Sequence, residues 1–585
     1  MSGNKIIKVI CCYLLIICAV SCGQEAGKRI VILATTDLHG TIFPYDYIED
    51  KPLKASLSNI STLVSDVRKK YNTILLDNGD NLQGQPAVYY YNYIDTLSRH
   101  INSMVMNYMG YDAGTVGNHD IEAGHSVYDR LRNEYNFPLL AANAVNIKDG
   151  EPYFKPYIIL EKYGLKIAVF GLITPSVPEW LPPVLYSGME FRDMIETAKK
   201  WMPQILERKP DIVVGLFHSG TGMSENRPGE FGKDYENSSG AVAYYVPGFN
   251  IVIAGHDHNE LCSEIINVNG DTVLILDAGS RGEKVARADI EIKGITGKKR
   301  IKISGSLIDV SNYNPDKNFI DEFSEKEKKI KEFVKEVIGE SSASFSSREA
   351  FFGPSAFVDL IHKIQLEITG ADVSFAAPLS FDVKIDKGPL TVGDMFKLYR
   401  YENMLYTMEL KGYEIVKYLE YSYAEWLNTM KSPDDHLLNF RTDKDGKIYM
   451  SGGKAYLKYP SYNFDSAAGI EYVVDVSKPA GKRIKIISMQ NGKSFYDNNT
   501  YLVAVNSYRG SGGGGHLTEG VSLNSVEIAE RLKYSTVRDL RYYIMEYIRD
   551  KKMIHPESFD SWKIIPEQWV ERARKKDYKL LFGEQ

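Results

Sequence analysis

Residues 29–40 read RIVILATTDLHG. The run from Ile30 to Ala34 is apolar without a break. It is too short for a helix and lacks the alternation of a half-exposed strand, so it predicts a β-strand covered on both faces. Asp37 and His39 follow, where the chain turns at Gly40. Five more segments repeat the plan of a short apolar strand running into a polar or glycine-rich loop: YNTILLDNGD (71–80), LKIAVFGLITP (165–175), PDIVVGLFHSG (210–220), FNIVIAGHDH (249–258) and DTVLILDAGS (271–280). Helical-period stretches lie between several of them, around 57–70 and 97–109. This alternation predicts an α/β domain with the strands in one sheet, and in such sheets sites collect where strands end.

Downstream, the charged stretch at 316–339 reads as a solvated connecting helix. After the serine-rich SSASFSSRE (341–349), a second region with helical and strand patterns runs to about residue 553. The tail from His555, with two Trp and many charges, is expected to pack on the surface. At 585 residues and 44% hydrophobic, the chain can bury a sizeable core in more than one domain. A net charge of −6 with no basic block argues against nucleic-acid polymers as partners. Forty tyrosines leave rings for stacking on a ligand, although most must pack.

Lys5 and Lys8 precede the apolar run VICCYLLIICAV (9–20), which ends at Ser21-Cys22-Gly23. A basic region, a short hydrophobic region and a small-residue site are the pattern of an export signal, and the run is too short to span a bilayer. Ala19-Val20-Ser21-Cys22 resembles a bacterial lipobox. That likeness implies lipidation at Cys22, a membrane anchor, and a place in the periplasm or at the outer membrane. Four of the five cysteines lie at or before Cys22, so no disulfide framework is available and stability must come from the core. Cys262 follows the AGHDH segment; its apolar neighbours mark it as a buried, inert thiol rather than a ligand.

The polar residues after the strands form a series. TTDLHG supplies Asp37 and His39, DNGD supplies Asp77 and Asp80, TVGNHD supplies Asn118, His119 and Asp120, LFHSG supplies His218, and AGHDH supplies His256 and His258. Any one of these is weak, since a single Asp caps helices and a single His packs in cores. Five segments in one domain are hard to assign to chance. Imidazole and carboxylate without thiolate suit a borderline divalent ion such as Zn, Mn, Fe or Co. With one Asp shared, the donors suffice for two ions about 3.5–4 Å apart, an arrangement suited to phosphoester hydrolysis.

The motif series D-x-H, G-D, G-N-H-[DE], H and G-H-x-H resembles that of the calcineurin-like metallophosphoesterases. From about residue 29 to 550 the chain is similar to their bacterial branch of 5′-nucleotidases and 2′,3′-cyclic-nucleotide phosphodiesterase/3′-nucleotidases. The resemblance implies a four-layer α/β sandwich (28–312), a linker helix (313–345), a second α/β or α+β substrate-binding domain (346–553) and a C-terminal tail (554–585). It also implies one metal ion on Asp37, His39, Asp80 and His258, and a second on Asp80, Asn118, His218 and His256, with Asp80 bridging. His119 would face substrate as a cation and protonate the leaving oxygen. The family's 5′-nucleotidases pair that His with an Asp three residues on; here the position is Glu122. Asp120 reads as structural support.

The same resemblance places the nucleobase between Tyr401 and Tyr508, with Asn403 at its edge. The family's 5′-nucleotidases carry an Asn-Gly-Gly-Gly-x-Arg segment, whereas SFAAPLSFDVKIDKGPLTVGDMF (374–396) has no arginine. YRYEN (399–403), YNFD (462–465) and NSYRGSGGGGH (506–516) look instead like the cyclic-phosphodiesterase branch. Gly512–Gly515 lacks the context of a phosphate loop and is read as letting backbone approach the Tyr508 ring. The expected protein is a monomeric hydrolase of 2′,3′-cyclic and 3′-nucleotides. A 5′-nucleotidase of broad specificity is the alternative enzyme. A non-catalytic nucleotide-binding lipoprotein is the rival of another class, against which the full donor set argues.

Overall fold

The computed structural model describes residues 28–224, 227–231, 235–295 and 298–583. The expected export signal and the lipid on Cys22 lie outside the described residues. Among those residues no helix is long and apolar enough to cross a membrane.

Two six-stranded sheets form the first half. Their strands are β1 Lys28–Thr35, β2 Asn72–Asp77, β3 Ala113–Thr115, β4 Leu139–Leu140, β5 Tyr157–Lys162, β6 Leu165–Ile173, β7 Ile212–His218, β8 Ile251–Ala254, β9 Glu260–Ile266, β10 Thr272–Ala278, β11 Lys284–Ile295 and β12 Lys298–Asp309. One sheet has the order β12-β11-β1-β2-β3-β4, the other β9-β10-β8-β7-β6-β5. Their central strands are parallel, with Leu33 opposite Leu75 in the first sheet and Leu216 opposite Ile253 in the second.

The unbroken apolar runs follow from this packing. Ile30, Ile32, Ile74 and Leu76 meet Ile167, Val169, Val214 and Ile253 between the sheets. The alternate residues Val31, Leu33 and Leu75 pack with helix α1, Leu57–Arg68. Phe170, Val213, Phe217 and Val252 pack with helices α2, Met194–Glu207, and α3, Ser239–Tyr245. The result is the expected four-layer sandwich. The expectation of a single sheet is corrected: β1, β2 and β3 belong to one sheet, and β6, β7, β8 and β10 to the other. Strands covered on both faces read alike in either sheet, so the sequence carries no mark of the division.

Helix α4, Lys317–Lys335, enters the second half. It is not the solvated connector expected from its charge, because Phe319, Phe323, Ile330, Phe333 and Val334 are buried. Phe333 stacks near Tyr89 of the first domain at 6.4 Å, and Tyr89 also meets Phe396 edge-on at 5.2 Å. Buried Arg541 lies over the Phe396 ring at 4.0 Å, and Tyr89 Oη–H donates to Asp539 at 3.1 Å. One core cluster therefore runs across the junction of the two halves.

The second domain is built on β13 Val373–Ala376, β14 Met404–Lys411, β15 Ser466–Ala468, β16 Ile470–Asp475, β17 Ile484–Met489, β18 Thr500–Asn506, β19 Leu532–Asp539 and β20 Trp562–Ile565. A five-stranded sheet has the order β15-β13-β18-β14-β19, and a three-stranded sheet β17-β16-β20. The tail is thus part of the domain rather than a surface appendage. β20 pairs in parallel with β16, and helix α5, Glu567–Phe582, buries Ala573, Asp577, Leu581 and Phe582. Cys262 is also corrected: it lies exposed on the edge strand β9, where alternate side chains face solvent.

Candidate metal centre and interdomain cleft

The loops leaving β1, β2, β3, β7 and β8 converge at the open end of the sandwich. Asp37 N–H donates to Gly79 O and His39 N–H to Asp80 O, both at 2.9 Å, stitching the first two loops together. Asp37, His39, Asp80, His256 and His258 all have left-handed backbones, with φ of 50°, 48°, 57°, 78° and 57°. Such conformations cost roughly 1–3 kcal/mol each and cluster where function demands them. Two glycines permit the crowding: a Cβ on Gly117 would overlap Asp80 Oδ1, and one on Gly255 would overlap Thr36 Oγ1.

The donor atoms fall into two groups, Asp37 with His39 and His258, and Asp80 with His218 and His256. Their chemistry tests whether cations fit. His218 Nδ1–H donates to Asn78 O at 2.7 Å, His39 Nδ1–H to Gln83 O at 3.1 Å, and His256 Nε2–H to Glu236 Oε1 at 3.1 Å. Each neutral ring then turns its bare nitrogen inward. His39 Nε2 lies 2.9 Å from His258 Nε2, and His218 Nε2 lies 3.2 Å from Asp80 Oδ2. His256 Nδ1 lies 2.9 Å from Asn118 Oδ1, which is also 3.1 Å from His218 Nε2. Acceptors that face acceptors repel unless something positive stands between them. Without a metal ion, a proton must do this: burial opposes charge on His218, yet Asp80 and Asp37 push its pKa up to about 10. The all-nitrogen-and-oxygen set fits borderline divalent ions.

Asn118, His119 and Glu122 share the short helix Asn118–Glu122. Its i, i+3 spacing lets His119 Nδ1–H donate to Glu122 Oε2 at 2.5 Å, while His119 N–H donates to Asp80 Oδ1 at 2.8 Å. Burial pushes the His119 pKa down, but Asp80 and Glu122 outweigh it and raise it to about 9. These two carboxylates favour the imidazolium form of the ring, whose Nε2 is free of Glu122.

Asp120 accepts from the backbone N–H groups of Gly117, Asp80, Asn81 and Leu82 at 2.8, 2.9, 2.9 and 3.2 Å. It pins the Asp80 loop to the Asn118 helix. Asp120→Asn would turn one acceptor oxygen into a donor aimed at N–H groups. The expected outcome is about 10- to 100-fold weaker metal-dependent activity in a folded protein, read by titrating Mn²⁺ or Zn²⁺ against phosphate release.

A cavity of about 270 Å³ opens between the domains. Asn118, His119, Glu122, Trp180, Leu181, Glu236 and His256 line it from the first domain; Leu379, Tyr401, Asn403, Tyr462, Asn506 and Tyr508 line it from the second. Of the residues singled out in the sequence, Asn118, His119, Glu122, His256, Tyr401, Asn403 and Tyr508 line this cleft, while Asp37, His39, Asp80, His218 and His258 belong with His256 to the two donor groups. Tyr401 and Tyr462 meet edge-on at 6.1 Å. Gly513 packs against Tyr508, since a Cβ there would lie 2.5 Å from ring atom Cε2. Buried Arg509 donates to Asp465 at 3.0 Å and to the carbonyls of Gly513 and Tyr462 at 2.8 Å each, which fixes the two tyrosine segments together.

Sequence reading missed Trp180, Leu181, Glu236, Leu379, Tyr462 and Asn506. Trp180 stacks on His256 at 5.3 Å and 29°. Tyr462 lies inside the YNFD stretch and Leu379 in the segment without arginine, so both were within reach. Trp180 and Glu236 sit in loops with no periodic signal.

Residues 30–260 match the family model of the calcineurin-like phosphoesterases, and residues 337–519 match that of the 5′-nucleotidase C-terminal domain. The chain is 27% identical to the trifunctional nucleotide phosphoesterase YfkN of Bacillus subtilis over 92% of its own length, but spans only 39% of that protein. It is 25% identical to a 2′,3′-cyclic-nucleotide 2′-phosphodiesterase/3′-nucleotidase of Yersinia enterocolitica, covering 94% of this chain and 90% of that one. A Staphylococcus aureus structure solved with alpha-ketoglutarate shares the fold at a TM-score of 0.73 and 20% identity, over 92% of this chain and all of that one.

Proposed function

Because this chain belongs to the calcineurin-like phosphoesterases that carry a 5′-nucleotidase C-terminal domain, we propose that it hydrolyses nucleotide phosphoesters outside the cytoplasm, above all 2′,3′-cyclic nucleotides and 3′-nucleotides. The observation that carries this reading is the single cleft lined by the donors Asn118 and His256 and by His119 on one side and by the tyrosine pair on the other. Asp37, His39, Asp80 and His258 would hold one divalent ion, and Asp80, Asn118, His218 and His256 the other. Bound there, the ions would neutralise charge on the phosphoryl oxygens and lower the pKa of an attacking water.

The chain's own residues supply the rest. His119, held by Glu122 through Nδ1, presents Nε2–H to the developing charge and gives that proton to the leaving oxygen. Tyr401 and Tyr508 stack on the base, and Asn403 meets its edge. Glu402, beside them, is anchored near Arg541 with its carboxyl 3.5 Å from Nη1. The export signal and Cys22 would carry the enzyme to the envelope, lipid-anchored and monomeric.

Stacking on a ring is worth roughly 1–3 kcal/mol per base. Tyr401→Ala or Tyr508→Ala is expected to raise KM for 3′-AMP by about tenfold or more, while bis-p-nitrophenyl phosphate, which has no base, is spared. Equal losses on both substrates would remove the tyrosines from the base site. The description of the C-terminal family as that of 5′-nucleotidases favours a second reading, hydrolysis of 5′-nucleotides. Rates on 3′-AMP and 5′-AMP side by side decide between them: preference for 5′-AMP overturns the first reading.

A further inference from the structure

Apart from the two metal ions of the proposed reading, the cleft that would take the nucleotide is poor in positive charge. Among the described residues that line it, His119 is the one raised towards a cation, and none is Lys or Arg. Two carboxylates stand in the same wall, Glu122 and Glu236. Glu122 is engaged by His119. Glu236 is placed differently: its side chain is 43% exposed, and Oε1 accepts from His256 Nε2–H at 3.1 Å. Burial and then Arg509 act first on the Tyr462 and Tyr508 hydroxyls, but the Glu236 charge reaches both and raises their pKa. Glu236 thus touches the donor His256 and lines the same cavity as Tyr401, Tyr462 and Tyr508, within which a nucleotide bound on the proposed reading would have its sugar. Arg281 and Arg400 do not line the cavity, but their charges reach Tyr401 in its wall and pull that hydroxyl's pKa down. At about 270 Å³ the cavity lies near the lower limit of small-ligand sites.

We propose that Glu236 determines which phosphoryl pattern the enzyme accepts: nucleotides with one phosphoryl group on the sugar, open or 2′,3′-cyclic, and not those with a second. The inference rests on the nucleotide reading above. Its carboxylate accepts a hydrogen bond from a free ribose hydroxyl and faces a second phosphate with like charge, which selects against the wrong partner. Its contact with His256 also makes it a positioning residue for that ring, so the test must separate the two effects.

A ratio measured on one enzyme does so, because a misplaced His256 slows every substrate alike. We would measure kcat/KM for 3′-AMP, 5′-AMP and adenosine 3′,5′-bisphosphate with wild type, Glu236→Gln and Glu236→Ala. Wild type is expected to favour the better monophosphate over the bisphosphate by at least about tenfold, and both variants to narrow that ratio by about tenfold. Equal turnover of mono- and bisphosphate by wild type, or a ratio unchanged in both variants, overturns the proposal. Preference for 5′-AMP over 3′-AMP overturns only the 3′-nucleotide reading, and the 5′-AMP ratio then decides the role of Glu236.

Discussion

Replacing His119 with alanine is expected to lower kcat/KM for 2′,3′-cyclic AMP by about 100- to 10,000-fold, the range lost when a positioned acid is removed, without loss of bound metal. His119 holds the donor cluster through its backbone N–H to Asp80, which alanine keeps, and its ring packs edge-on against His39 at 5.5 Å without hydrogen-bonding it. Its ring reaches into the cleft rather than into either donor group. Glu122→Gln probes the same ring more finely. The carboxylate that helps raise the His119 pKa is lost while the shape is retained, so that pKa falls. The reaction needs the protonated ring, so activity is present below that pKa and lost above it. The alkaline limb of the rate profile should therefore move to lower pH in Glu122→Gln. An unmoved limb would mean that Glu122 leaves the ring untouched.

Asp80→Ala is expected to remove both metal ions and with them all but a trace of activity, a loss of about 1,000-fold or more when the main electrostatic stabiliser goes. On the proposed reading Asp80 bridges the two ions; in the structure its Oδ2 lies 3.2 Å from His218 Nε2, its Oδ1 accepts from the His119 N–H, and its own N–H donates to Asp120. With the carboxylate gone, buried His218 loses the nearest of the two charges that hold its proton in the metal-free protein. Metal content by mass spectrometry separates the two variants: near two equivalents in His119→Ala and near none in Asp80→Ala. Two equivalents in both would remove Asp80 from the bridging position.

All the donors but Asn118, which follows the short Ala113–Thr115 strand, were legible because they end or follow strands covered on both faces, and such strands announce themselves as apolar runs that end abruptly. The same uniformity hid the division into two sheets, since Ile32 and Ile253 have the same surroundings on opposite sides of one core. In helix α4, charges between Phe319, Phe323, Ile330 and Phe333 dilute composition without breaking the 3–4 spacing of the buried face. Spacing, not charge, carried the information there. The tail shows a similar lesson, with Trp562 and Ile564 alternating as a strand should. Trp180 and Glu236 belong to another kind of position. They reach His256 only through the folding of distant loops, and no local pattern marks a residue whose partner lies 76 or 20 positions away.

The most direct measurement of the account is phosphate and nucleotide release from 2′,3′-cyclic AMP by protein stripped with a chelator, before and after Mn²⁺ or Zn²⁺ is returned. Negligible release from the stripped protein, and recovery that saturates near two equivalents per chain, is the predicted result. Undiminished hydrolysis by the stripped protein, or no hydrolysis at any metal loading, would contradict it.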